Sequence, residues 1–114
     1  MATRGEDAEK LAGTFLHQAG LTLVARNYRC RFGEIDLIVR DDKTLVFVEV
    51  RMRSSDRYGG AAASITAAKR ARLMRAARHY LANVAQAPAC RFDVLLVNGR
   101  DQSVEWLKNA FEER

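Results

Sequence analysis

No apolar run in this chain of 114 residues approaches the roughly 20 needed for a membrane-spanning helix. No membrane partner is therefore expected. Cysteine is scarce as well. Cys30 and Cys90 are too few for a disulfide framework and lack metal-ligand spacing, so both read as reduced small hydrophobes. The first residues, Met1 to Asp7, turn acidic at once and lack the apolar core of a signal peptide. A cytoplasmic protein is the expectation. Internal repeats, low-complexity segments and linkers are missing too, which points to one domain over residues 1–114. What is present fits a folded chain: 48% hydrophobic and 29% charged residues lie near globular norms and speak against intrinsic disorder.

The net charge of +5 is unevenly placed. Residues 51–80 carry 8 basic and 1 acidic side chains, whereas residues 1–50 and 81–114 are each acidic by one charge. Positive charge concentrated in one segment is the electrostatic footprint of a nucleic-acid binder, or else a solvated helix face.

The hydrophobic pattern predicts a helix over residues 5–19, with Ala8, Leu11, Ala12, Phe15, Leu16 and Ala19 as one stripe. Thr3 and Glu6 have the form of a capping box, and Gly20 suits the left-handed position past the end. An irregular strand over 21–28 precedes two alternating strands, 34–40 and 45–53, joined by the turn Asp41-Asp42-Lys43-Thr44. In the first of these, Ile35, Leu37 and Val39 are expected on one face. A loop over 54–63, a helix over 64–84 and short strands at 92–97 and 104–107 complete the chain. Pro88, its single proline, lies past the end of the second helix. The order predicts an α/β fold, one mixed sheet flanked by helices.

Carboxylates inside apolar strands are the most informative feature. Asp36 interrupts Glu-Ile-Asp-Leu-Ile-Val, and Glu49 interrupts Leu-Val-Phe-Val-Glu-Val. If the hairpin turns between Asp42 and Lys43, paired numbers sum to 85. Asp36 then faces Glu49, and Glu34 faces Arg51. Opposed residues share a face, so the two charges need compensation. A divalent cation such as Mg²⁺ is a natural compensator, since it binds one or two carboxylates together with waters and phosphates. The alternatives are solvated acids at a strand edge, or Glu49 paired with Arg51 or Arg53.

Lys69, Arg70, Arg72, Arg75, Arg78 and His79 share the second helix. Positions 69, 72, 75 and 78 drift by about 60° per step and cover a broad face. Arg51, Arg53 and Arg57 extend the charge toward the acidic pair. Acids that hold a metal, rimmed by cations that hold flanking phosphates, are what phosphodiester chemistry uses. Tyr58 and Tyr80 are the only aromatics close by in sequence, so base stacking has little support. Tyr80 reads as core, His79 as surface and Trp106 as sheet packing.

Gly33-Glu34-Ile35-Asp36-Leu37-Ile38 followed by Val46-Phe47-Val48-Glu49-Val50-Arg51-Met52-Arg53 resembles the YraN family of small bacterial proteins. Tyr58-Gly59-Gly60, Lys69, Arg91-Phe92-Asp93-Val94, Glu105-Trp106 and Asn109-Ala110-Phe111 carry the resemblance along the chain, as do Gly5, Glu9, Ala12 and Phe15-Leu16. The resemblance implies a restriction-endonuclease-like fold, similar to Holliday-junction resolvases. That superfamily is marked by an acid on one strand, Glu-x-Lys on the next and often a helical Glu. Asp36, Glu49 and Glu9 match these and would be the metal ligands, with Mg²⁺ or Mn²⁺ as cofactor. Glu34 lies beside them. Arg51 stands where the superfamily has lysine. Arginine stays charged, which suits it to hold phosphate and unsuits it as a base. The implied function is a metal-dependent endonuclease acting on branched or damaged DNA, with Glu9, Asp36, Glu49 and Arg51 catalytic. Arg53, Arg57, Lys69, Arg72, Arg75 and Arg78 would bind nucleic acid. A non-catalytic nucleic-acid-binding module of the same fold is the alternative, and a homodimer is left open.

Overall fold

In the computed structural model, residues 4–53 and 65–111 are described. The first helix, α1 (Arg4–Gln18), buries Ala8, Ala12 and Leu16, the stripe expected of it. Glu6 and Asp7 sit in its first turn, where carboxylates favour the helix dipole. The chain leaves it through Gly20 at φ +95°, a conformation that only glycine adopts without strain. Thr3, and the capping box with it, lies outside the described residues.

Three strands follow: β1 (Thr22–Cys30), β2 (Gly33–Asp41) and β3 (Thr44–Arg53). They form two consecutive antiparallel hairpins. The second helix, α2 (Ala67–Leu81), then leads to β4 (Cys90–Asn98), which runs parallel to β3. A parallel neighbour demands such a crossover, since no tight turn can reverse the chain twice. Finally β5 (Val104–Phe111) returns antiparallel to β4. The five strands lie in chain order in one mixed sheet, which with the two helices makes an α/β architecture. No helix among the described residues is long and apolar enough to cross a membrane.

Helix α2 is shorter than the 64–84 that periodicity predicts. Thr66 caps it by accepting a hydrogen bond from the Lys69 amide at 3.1 Å. Ile65, just before the cap, is buried against Val94 and Leu96 of β4. Ala82 closes the other end.

The helices cover opposite faces of the sheet. On one face α1 packs over Leu37, Val39, Val46, Val48 and Leu95. On the other, Leu73, Ala76 and Ala77 of α2 pack over Ile38, Leu45, Phe47 and Phe92. The β2–β3 ladder runs from Asp41↔Thr44 to Leu37↔Val48, and each pair sums to 85 as the hairpin indexing requires. Ile35 departs from expectation. It packs with the α2 cluster, not with Leu37 and Val39. The alternation breaks at Asp36, where the side-chain carboxylate, and not a backbone carbonyl, accepts from the Val50 amide at 2.9 Å. The β2–β3 ladder ends at the neighbouring pair, Leu37↔Val48.

At the far edge, Asp93 on β4 is buried and ties β5 down. Its carboxylate accepts from Arg91 Nε at 3.1 Å and from Trp106 Nε1 and the Asn109 amide at 2.9 Å each. Trp106 also meets Phe15 of α1 edge-to-face, which makes it the sheet-packing residue expected. The Arg91 guanidinium reaches on to Asp41 at 3.0 Å, and these acids hold its pKa above the usual value against the opposing effect of burial.

Candidate functional site

The site lies at the end of the β2–β3 ladder. Asp36 stands just past the last pair of the ladder, with one oxygen fixed by the Val50 amide. Glu49, the next residue of β3 beyond that pair, is 4% exposed, and the two side chains share a hydrogen bond. Two carboxyls in contact, one buried and one half-buried, cannot both ionise at ordinary cost. Burial first, and then the hydrogen bond and charge of Glu49, push Asp36 up to about 8, only partly offset by the Val50 amide.

Glu49 Oε2 is buried. It is ion-paired with Lys69 Nζ, 3.3 Å away on the first turn of α2. Sequence reasoning set Lys69 on the phosphate-binding face with Arg72, Arg75 and Arg78. Its ammonium instead reaches the acidic pair. The cap at Thr66 explains why: it starts α2 so that Lys69, three residues on, sits over the C-terminal half of β3.

Glu9 approaches from α1. Burial raises its pKa, while a hydrogen bond from the Asn27 side chain lowers it; Glu34 and Glu6 add to the rise. Its charge bears on Asp36 through space. Among the described residues, no group of three or more His, Cys, Asp or Glu side chains is close enough to hold a metal ion. Asp36 and Glu49 are therefore the two carboxylates brought together, with Glu9 set back. Glu34 forms an ion pair with Arg29 at 3.4 Å.

Arg51 lies two residues beyond Glu49 on β3, opposite Leu96, and is half-buried. Arg53 closes β3 opposite Asn98. Arg57, like Tyr58, lies outside the described residues. Arg72, Arg75 and Arg78 are exposed on α2. Arg72 passes close to the β1–β2 turn, where a Cβ added to Gly33 would stand 3.5 Å from its own Cβ. A hollow of about 460 Å³ between α1 and the β4–β5 turn, lined by Lys10, Leu11, Met52 and Gly99, does not include the acidic pair.

Asp36 and Glu49 fit a small oxygen-loving cation. The second oxygen of Asp36 and Glu49 Oε2, which faces Lys69 Nζ at 3.3 Å, are the carboxylate oxygens that could contribute to a Mg²⁺ site.

Comparison with known proteins leads to the same kind of small bacterial family as the hairpin motifs. The model of the uncharacterised protein family UPF0102 matches residues 8–97, a span that includes Glu9, Asp36, Glu49 and Lys69. A UPF0102 protein of Nitrosomonas europaea is 64% identical over 111 residues, covering 96% of this chain and 94% of its own. Another, of Nitrosomonas eutropha, is 58% identical over 110 residues, with 96% and 94% covered. A third, of Methylobacillus flagellatus, is 54% identical over 112 residues, with 97% and 98% covered.

Proposed function

The chain belongs to the uncharacterised protein family UPF0102, and from that premise we propose that it is a metal-dependent phosphodiesterase acting on DNA, built on a restriction-endonuclease-like fold. One observation carries the reading. The β2–β3 ladder ends beside Asp36, so that its half-buried carboxyl meets the buried Glu49, with the Lys69 ammonium 3.3 Å from Glu49 Oε2. That arrangement costs stability, and burying a cation between the acids would return it.

Asp36 and Glu49 would hold Mg²⁺ or Mn²⁺. Such an ion, when bound, polarises a phosphoryl oxygen and lowers the pKa of a coordinated water. The chain's own groups supply the rest. The Val50 amide fixes one Asp36 oxygen and so orients the other. Lys69, beside Glu49, brings the lysine that Arg51 does not. Its ammonium, ion-paired with Glu49, would stabilise charge on the reacting phosphate. Arg51, on the face of β3 that carries Glu49, would hold phosphate charge. Exposed Arg72 and Arg75 would track the flanking phosphates.

A screen for cleavage of linear, branched and single-stranded DNA with Mg²⁺ or Mn²⁺ tests this, with Asp36→Asn and Lys69→Met as controls. Metal-dependent cleavage lost in both variants is the expected result. A second reading is favoured by the lack of a third carboxylate at the pair among the described residues, and by the Lys69 ion pair that already occupies Glu49. It is a non-catalytic nucleic-acid-binding module of the same fold. DNA binding without cleavage under every metal condition would select it.

A further inference from the structure

The fold assembles an aromatic surface that the sequence does not announce. Tyr28 lies on β1, Phe32 in the turn before β2, and His79 near the end of α2. Tyr28 and His79 are hydrogen-bonded through the hydroxyl and Nδ1. The His79 ring stands 6.0 Å from the Tyr28 ring and 6.0 Å from the Phe32 ring. The Arg31 guanidinium lies over Phe32, 4.8 Å from its centroid. His79 and Arg31 are exposed, and Tyr28 and Phe32 are half-buried.

Tyr28 packs against the α2 core cluster and meets Tyr80 edge-to-face at 5.2 Å, beside the buried Leu73, Ala76 and Ala77. Phe32, half-buried beside His79 and Arg31, is not part of that cluster. The exposed Arg31 guanidinium covers the Phe32 face, and a planar base would stack there in its place. Arg31 and Arg72, both exposed at this turn, supply positive charge for a phosphate chain. Phe32 precedes Asp36 by four residues of extended chain, about 13 Å at the usual strand rise. A strand crossing the acidic pair would pass this surface within a few nucleotides.

We infer that Tyr28, Phe32 and His79 form a stacking platform for an unpaired base of a DNA strand whose phosphates cross the Asp36–Glu49 site. This rests on the reading of that site as nucleic-acid-processing, and it names the substrate class: DNA with an unpaired segment beside the reacting phosphate. A base kept in a duplex presents no open face, so only an unpaired one can use the platform.

The test is binding in EDTA, so that no cleavage intervenes. The probes are a single-stranded oligodeoxynucleotide carrying 2-aminopurine and a blunt duplex of the same sequence. Wild type should bind the single strand more tightly and change its 2-aminopurine fluorescence. Phe32→Leu keeps the apolar bulk and removes the ring. It should weaken single-strand binding by about fivefold or more, abolish the fluorescence change and leave duplex binding unaltered. Phe32→Trp should restore both signals, which a merely structural role would not do. If wild type binds duplex and single strand equally, or Phe32→Leu behaves as wild type, the platform is overturned while the nucleic-acid reading stands. If wild type binds neither probe, both fall together.

Discussion

Lys69 Nζ stands 3.3 Å from Glu49 Oε2, joining the first turn of α2 to the middle of the sheet. Glu49 is 5% exposed at its side chain and Lys69 34%, so the carboxylate depends on the ammonium more than the reverse. Removing the lysine leaves a buried carboxylate with no ammonium beside it. Lys69→Met should lower stability by about 1–3 kcal/mol, less than for a wholly buried pair because the lysine is partly solvated. Adding Glu49→Gln to it should recover most of the loss. Chemical denaturation of the single and double variants measures both.

Asp36 gives stability a pH dependence of defined sign. Its folded pKa is raised to about 8 from an ordinary 3.8, first by burial and then by Glu49. The folded state holds the proton more tightly than the unfolded state. The contribution is therefore full below about pH 4 and is lost as pH rises toward 8. Asp36→Asn keeps an acceptor for the Val50 amide and cannot ionise. The variant should match wild type near pH 4 and exceed it by a margin that grows as pH rises to 8. Urea titrations across that range decide the matter, and a gain that shrinks with rising pH would contradict it.

Divalent cations should reverse that trend. Because the site must release its proton to take a metal, Mn²⁺ or Mg²⁺ should raise the melting temperature of wild type more at pH 8 than at pH 6. At about a hundred times the dissociation constant the gain is about 2.7 kcal/mol. Neither Asp36→Asn nor Glu49→Gln should respond. Calorimetric titration supplies the affinity independently.

Arg72 and Arg75 are exposed and lie off the buried Leu73-Ala76-Ala77 stripe. Replacing both by Ala should leave the melting temperature nearly unchanged. The slope of log affinity for duplex DNA against log salt should fall by about 2, one for each phosphate that is no longer neutralised. Anisotropy titrations over a salt series measure it. An unchanged slope would remove these residues from the interface.

Asp93 offers a purely structural contrast. Asp93→Ala leaves the Arg91 and Trp106 donors without their acceptor inside the sheet. A loss of about 3–5 kcal/mol is expected, the range for breaking a buried charged network. Thermal unfolding should show it with or without metal, unlike any change at Asp36.

The sequence by itself determined the elements and the hairpin register. A turn between Asp42 and Lys43 indexes the ladder as it is observed from Asp41↔Thr44 to Leu37↔Val48, and the same indexing puts Asp36 opposite Glu49 just beyond it. The stripe Ala8-Ala12-Leu16 likewise specified which side of α1 is buried. Other relationships were decided by tertiary structure, because they join segments with no fixed spacing along the chain. Periodicity cannot say that the strand alternation breaks at Asp36, whose side chain accepts from the Val50 amide across the hairpin. Nor can it say that Lys69 turns to Glu49 and away from the arginines three, six and nine residues on. Tyr28 and Phe32 are distant from His79 in sequence and meet it only because α2 crosses back over the first hairpin. Local spacing encodes which face of an element is apolar. Which charges and rings meet across elements depends on how those faces pack, and that is settled only when the whole sheet closes on its helices.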